Sequence, residues 1–239
     1  MTKKLGCDIS WWQGIVDFVK MKLGAAFVII RAGSCNSVTK ACYRDYCVAT
    51  NAEGAQDAGL PKGFYWFYRE FGIEHAKKQA RFFWEAIKEW TIEEGLFCDV
   101  EVHDAQLKNV LAFMVELQRV SGLPDEKLGI YSRALLWNAL SGDCLAFKRF
   151  LCWVARYCSL SHPWNDAEYM RMQPYDEPNY HQFSADGNDR GAEFGVDSDD
   201  IDLNRKFIFT EEPTEPAPDR ARVTITYSGP VDIEVTKEN

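Results

Sequence analysis

The feature that most constrains this chain is a repeated switch between two hydrophobic periods. Apolar runs of strand character alternate with stretches whose apolar residues recur at helical spacing. LGCDIS (5–10) reads as a first strand, and AAFVIIRAG (25–33) as a second that is apolar on both faces. Such a strand needs cover on both sides, as in a parallel sheet flanked by helices. KGFYWFY (62–68) follows the turn GLP, and HAKKQARFFWEAIKEW (75–90) then spaces its aromatics helically. GLFCDVEV (95–102) is the next strand, and AQLKNVLAFMVELQRVSG (105–122) is an amphipathic helix ending at Gly122. KLGIYS (127–132), RFLCWVARY (149–157) and NYHQFS (179–184) continue the strand series. This alternation predicts an α/β fold, an irregular TIM-like β/α barrel. A chain of 239 residues with 46% hydrophobic content can fill such a core.

Within that pattern, LFCDVEVHD (96–104) sets two acids into an apolar strand. Side chains alternate along a strand, so Asp99 and Glu101 share a face with Phe97, and Cys98, Val100 and Val102 share the other. Neighbouring carboxylates near a core repel each other and lose hydration. Taken alone, the pair fits either a strand end emerging into water or a catalytic acid pair.

In a parallel barrel the active site lies at the C-terminal ends of the strands. The expected strand ends there carry Asp8 with Ser10, Tyr65 with Phe67, Asp99 with Glu101, Tyr131, Trp153 with Tyr157, and His181 with Gln182. The closing DIDLN (200–204) adds Asp202, with Asp197 and Asp200 as competitors for its place. Four carboxylates among aromatics suit a sugar site, where ring faces stack and hydroxyls are hydrogen-bonded. Arg31 reads as a structural ion-pair partner, and the charged stretch 75–94 as a solvated helix face.

Charge and composition narrow the partners. A formal net charge of −9 and a sequence pI near 5.0 argue against nucleic acid. No segment approaches the roughly 20 apolar residues that span a bilayer, so no membrane partner is expected. MTKKLGCDIS has no apolar h-region, so no secretory signal is expected. All eight cysteines are therefore expected as free thiols, with only Cys35, Cys42 and Cys47 in a region where a bridge is plausible. His75, His103, His162 and His181 are scattered and no CxxC occurs, so neither a metal site nor a cofactor is expected.

DISWWQG, FVIIRAG, AGLPKGFYWFY, QARFFW, the DVE triplet, LGIYS, CWVARY, HQF and a closing D-x-N occur in this order. Each is weak alone. Together they resemble glycoside hydrolase family 25, the Chalaropsis-type lysozymes found in many phage endolysins, over roughly residues 5–209. The resemblance implies a barrel with fewer than eight full βα units. It also implies cleavage of the β-1,4 bond between N-acetylmuramic acid and N-acetylglucosamine in bacterial peptidoglycan. By position, Glu101 matches the family's general acid, Asp99 its partner carboxylate, Asp8 the first-strand acid, Asp202 the last-strand acid and Tyr65 an active-site tyrosine. His181 stands where the family usually has an aromatic. For a phage endolysin, the enzyme is expected in the host cytoplasm until lysis. The remaining function classes are another acid-pair barrel glycosidase such as a chitinase, or a non-catalytic wall-binding barrel. A chitinase needs a longer D-x-x-D-x-D-x-E run, which the residues before Asp99 do not provide.

The expected catalytic barrel occupies residues 1–209. TEEPTEPAPDR and its flanks (210–221) read as an acidic, proline-rich linker, and RVTITYSGPVDIEVTKEN (222–239) as a β-hairpin around SGP. A lone two-stranded hairpin is marginal in water, so this tail is expected to dock on the barrel or to self-associate rather than to bind wall polymer.

Overall fold

The computed structural model describes residues 2–157, 171–187, 189–208, 223–227 and 233–237. Thr2–Ile208 form one compact unit, and the C-terminal hairpin belongs to a second.

In the first unit, β1 (Thr2–Ile9), β2 (Val28–Cys35), β4 (Lys62–Phe67), β5 (Leu96–Asp99), β6 (Leu128–Arg133), β7 (Leu151–Ala155), β8 (Tyr180–Ser184) and β9 (Asp202–Ile208) close an eight-stranded barrel. Around the ring the order is β1-β9-β8-β7-β6-β5-β4-β2, and β2 pairs back onto β1. Every junction is parallel except the two that β9 makes, antiparallel to both β1 and β8. A ninth strand, β3 (Cys42–Arg44), folds back along β2 outside the ring.

The helices are α1 (Phe18–Gly24), α2 (Val48–Asp57), α3 (Ile73–Ile87), α4 (Leu107–Ser121) and α5 (Ala134–Ala139). Asp17 caps α1 by accepting from Lys20 N. α4 ends where Gly122 takes a left-handed conformation, which glycine adopts without steric cost. Among the described residues no helix is long and apolar enough to cross a membrane.

Strand alternation sorts the core into two layers. Between sheet and helices lie Val28, Ile30, Trp66, Cys98, Val100, Val110 and Phe113. Inside the barrel lie Phe27, Ile29, Phe97, Tyr131, Trp153, Ala155 and Tyr180. Phe97 meets Trp153 and Tyr180 edge-on at 5.1 and 5.3 Å, contacts worth about 0.5–1.5 kcal/mol each beyond burial. Gly129 makes room for that ring, since a Cβ there would sit 2.5 Å from it. At the opposite end from the acids, Glu94 Oε2 accepts from Tyr180 Oη at 2.7 Å and Lys206 Nζ at 2.6 Å. The barrel is thus plugged at one end and open at the other.

The cysteine expectation is corrected here. The β2–β3 hairpin registers Cys35 directly opposite Cys42, and the two form a disulfide. The antiparallel turn that brings them together carries no apolar period of its own, so the sequence pattern does not display it. Cys7, Cys47, Cys98, Cys144 and Cys152 are free.

In the second unit, β10 (Val223–Tyr227) pairs antiparallel with β11 (Ile233–Lys237), Ile225 opposite Val235. The linker expected at 210–221, the SGP turn and the segment 158–170 lie outside the described residues.

Candidate active site

The open end of the barrel holds a cavity of about 410 Å³. Asp8, Asp99, Glu101, Asp202, Tyr65, Tyr131, Trp153, Tyr157 and Gln182 all line it. Nine of the ten residues expected from sequence therefore converge. The tenth, His181, does not. It alternates with Gln182 along β8 and shares the outer face with Phe183. There it is fully buried, with Nε2 donating to Arg156 O at 2.9 Å, and burial lowers its pKa to about 4.

β5 ends at Asp99, so Glu101 lies just beyond the strand rather than within it. Val100 N still bonds to Tyr131 O, and Ser132 Oγ bonds to Val100 O, which carries the alternation on to Glu101. Asp99 is 4% exposed, and among the described residues its Oδ1 has no hydrogen-bond partner. Burial raises its pKa well above the usual carboxylate range. The charge of Glu101 adds to this, and Arg31 opposes it.

Asp8 stands at the centre of a polar network. Its Oδ2 accepts from Gln182 Nε2 at 2.8 Å and Asn204 Nδ2 at 2.7 Å. Gln182 Oε1 accepts in turn from Tyr131 Oη at 2.6 Å and Tyr157 Oη at 3.2 Å. Asn204 Oδ1 accepts from Trp153 Nε1 at 2.8 Å. Three aromatic walls of the cavity are thereby oriented through two amides onto one carboxylate. Burial pushes Asp8 up to about 6, while its two amide donors and Asp202 hold it from rising further. Asp202 is also raised well above its usual range, first by burial and then by the charge of Asp8.

Several residues in and behind the cavity wall are not displayed by the sequence pattern. Asn204, which holds Asp8 and Trp153, shows only as the end of the D-x-N motif. Trp12, 65% exposed and stacked on Trp11 at 3.7 Å, belongs to the DISWWQG stretch. Arg133 follows KLGIYS directly and places Nε 3.7 Å from Glu101 Oε1. Arg31, expected as a structural ion-pair partner rather than a ligand contact, lines the cavity instead, and among the described residues it forms no salt bridge and its Nε has no hydrogen-bond partner. Of the competing acids, Asp200 lines the cavity, whereas Asp197 accepts from Ile15 N at 3.2 Å and does not.

Among the described residues, the one group of donors close enough to share a metal ion is Cys35, Cys42 and His75. Two of these are joined as the disulfide, and both His75 nitrogens are engaged, by Lys40 O and Gln79 Nε2.

Solved structures share this architecture. The Clostridium perfringens spore cortex lytic enzyme SleM aligns with a TM-score of 0.71 at 19% identity, covering 86% of this chain and 67% of that one. The catalytic domain of endolysin ply40 from bacteriophage P40 of Listeria monocytogenes gives 0.62 at 21%, covering 86% and 94%. A muramidase from Trichobolus zukalii gives 0.66 at 23%, covering 87% and 94%. A search of curated proteins finds no significant match. The family model for glycosyl hydrolases family 25 matches residues 7–192, a span that includes Asp8, Asp99 and Glu101. The chain belongs to glycosyl hydrolases family 25.

Proposed function

We propose that this protein is a peptidoglycan hydrolase, a lysozyme that cleaves the β-1,4 bond between N-acetylmuramic acid and N-acetylglucosamine. The observation that carries the reading is the buried carboxyl of Asp99, which lines an aromatic-walled cavity with Glu101 and whose Oδ1 has no hydrogen-bond partner among the described residues. A buried acceptor left without a donor is costly, and a substrate N–H relieves that cost.

The 2-acetamido group of the sugar supplies such an N–H. Burial favours the neutral form of Asp99. An N–H donor favours the ionised carboxylate. Glu101 then gives a proton to the glycosidic oxygen as the C1–O bond breaks. The acetamido oxygen attacks C1 from the opposite face and forms an oxazoline. Water deprotonated by Glu101 opens that ring, and the configuration at C1 is retained. This is the substrate-assisted route rather than the two-carboxylate displacement. Asp8 and Asp202 hold the sugar, ionised Asp8 steadying its positive charge, and Tyr65, Tyr131, Trp153 and Tyr157 form the walls against which it packs.

The sharing of this fold with an endolysin, a spore cortex lytic enzyme and a muramidase supports the substrate class and is compatible with a phage origin. Mass spectrometry of a digest of purified peptidoglycan tests the reading. Fragments ending in reducing N-acetylmuramic acid are expected, and fragments ending in reducing N-acetylglucosamine would overturn it.

A further inference from the structure

Five carboxylates line the cavity, Asp8, Asp99, Glu101, Asp200 and Asp202, against two cations, Arg31 and Arg133. Burial favours the neutral forms of Asp99 and Asp202, and an anionic glycan still meets Asp8, Glu101 and Asp200. The two arginines are not equivalent. Arg31 sits 5.3 Å from the Phe67 ring, and its charge offsets Asp99 and Asp45. Arg133 is 60% exposed at the end of β6, which lies four places from β1 in either direction around the ring.

Its one close partner among the described residues is Glu101, at a distance too long for a good hydrogen bond. The guanidinium fork therefore faces the cavity with donors to spare. A planar fork of that kind matches a carboxylate in a bidentate pair.

We propose that Arg133 is a specificity-determining residue that takes a substrate carboxylate, so that the enzyme selects acid-bearing glycans over neutral ones and in one register. This rests on the glycan-cleaving reading above. The shared chemistry is a carboxylate carried on the C3 lactyl arm of a muramyl sugar. It is either the lactyl acid itself, free in strands stripped of peptide, or an acid of the attached peptide stem. On binding, the guanidinium exchanges Glu101 for the substrate anion. Acids on the β1 and β9 side of the cavity disfavour the opposite register.

Four substrates separate the possibilities: stem-free glycan strands, uncrosslinked peptidoglycan with stems, and each of these with its carboxyls converted to methylamides. Rates are measured for the wild type, Arg133→Gln and Arg133→Lys. For the wild type, amidation is expected to raise KM about tenfold, with a smaller change in kcat. Arg133→Gln should lose most of that discrimination, and Arg133→Lys should recover part of it, since an ammonium cannot form the fork. Discrimination on stem-free strands assigns the lactyl acid, and discrimination confined to stem-bearing material assigns the peptide. Equal KM for acid and amidated forms in the wild type would overturn the proposal, an arm that needs no variant to fold. Arg133→Gln retaining full discrimination would overturn it as well. Failure of the underlying reading is distinct, because the wild type would then release no reducing ends from any of the substrates.

Discussion

Asp8 lies directly opposite Asp202 across the antiparallel β1–β9 ladder, and both carboxyls line the barrel mouth. β9 is the strand that breaks the parallel pattern, so the acid pair exists because the barrel is irregular there. Burial raises both groups, and the charge of Asp8 raises Asp202 further. Asp202 therefore favours its neutral form.

That assignment has a consequence for stability. Below its ordinary value of 3.8, Asp202 is protonated in both folded and unfolded chains. As pH rises, the unfolded chain releases the proton first, so the folded state loses stability until its own raised pKa is passed. Asp202→Asn has no such loss. Its melting temperature relative to wild type should climb as pH goes from about 4 to 7, by about 2–4 °C for each kcal/mol relieved. A difference independent of pH in calorimetric scans would remove the proton from Asp202.

The amides around Asp8 set a second expectation, for activity. If ionised Asp8 steadies positive charge on the sugar, kcat/KM should fall as pH drops below about 6. Asn204→Ala deletes one N–H donor to Asp8 Oδ2, and that donor favours the ionised form. The acid limb should then move to higher pH, by on the order of one to two units for a hydrogen bond to a charged group. A pH profile unchanged by the substitution would detach Asp8 from that limb.

Much of this architecture is legible in the sequence because seven parallel strands carry apolar runs with strand period. Helices α3 and α4 are legible from their aromatic and aliphatic spacing. β9 reads poorly, since DLNRKFI mixes polar and charged residues and shows only its D-x-N end. Short elements such as β3 and α5 hold too few residues to establish a period. For the site, strand alternation locates Asp99, Tyr65 and Gln182 on the inner face. It equally places His181 outward, one position before Gln182, where the HQF motif drew it into the site. Asn204 and Arg133 act through partners far away in sequence, and no local pattern announces such pairings.

Glu101 provides the most direct test of the chemistry. Glu101→Gln keeps the shape of the side chain and removes the transferable proton. Turnover should fall on the order of 10²–10⁴-fold, with melting within a few degrees of wild type. Lysis near the wild-type rate by a normally folded variant would move the general acid elsewhere.

The hairpin of β10 and β11 is two strands wide, too few for independent stability in water. Self-association through this tail is the expected remedy. Removing residues 211–239 should lower the number of chains per particle measured by light scattering. An unchanged number would leave the tail without a role in assembly.

Asp99 separates the substrate-assisted route from direct displacement. A nucleophile or water-activating base must approach the sugar on the face opposite the leaving group. Asp99 and Glu101 follow one another at the end of the same strand, so both reach the substrate from one side. That position suits an acceptor for the acetamido N–H, and Oδ1 of Asp99 has no hydrogen-bond partner among the described residues. Asp99→Asn removes the charge but keeps the size of the side chain. Turnover should drop at least 10²-fold, with KM changed less than kcat, because the oriented acetamido group matters most as C1 becomes positive. Proton NMR of the earliest products should show the β-anomer first, as retention requires. An α-anomer appearing first would mean inversion, and the water-activating base would then be Asp8 or Asp202, across the barrel from Glu101.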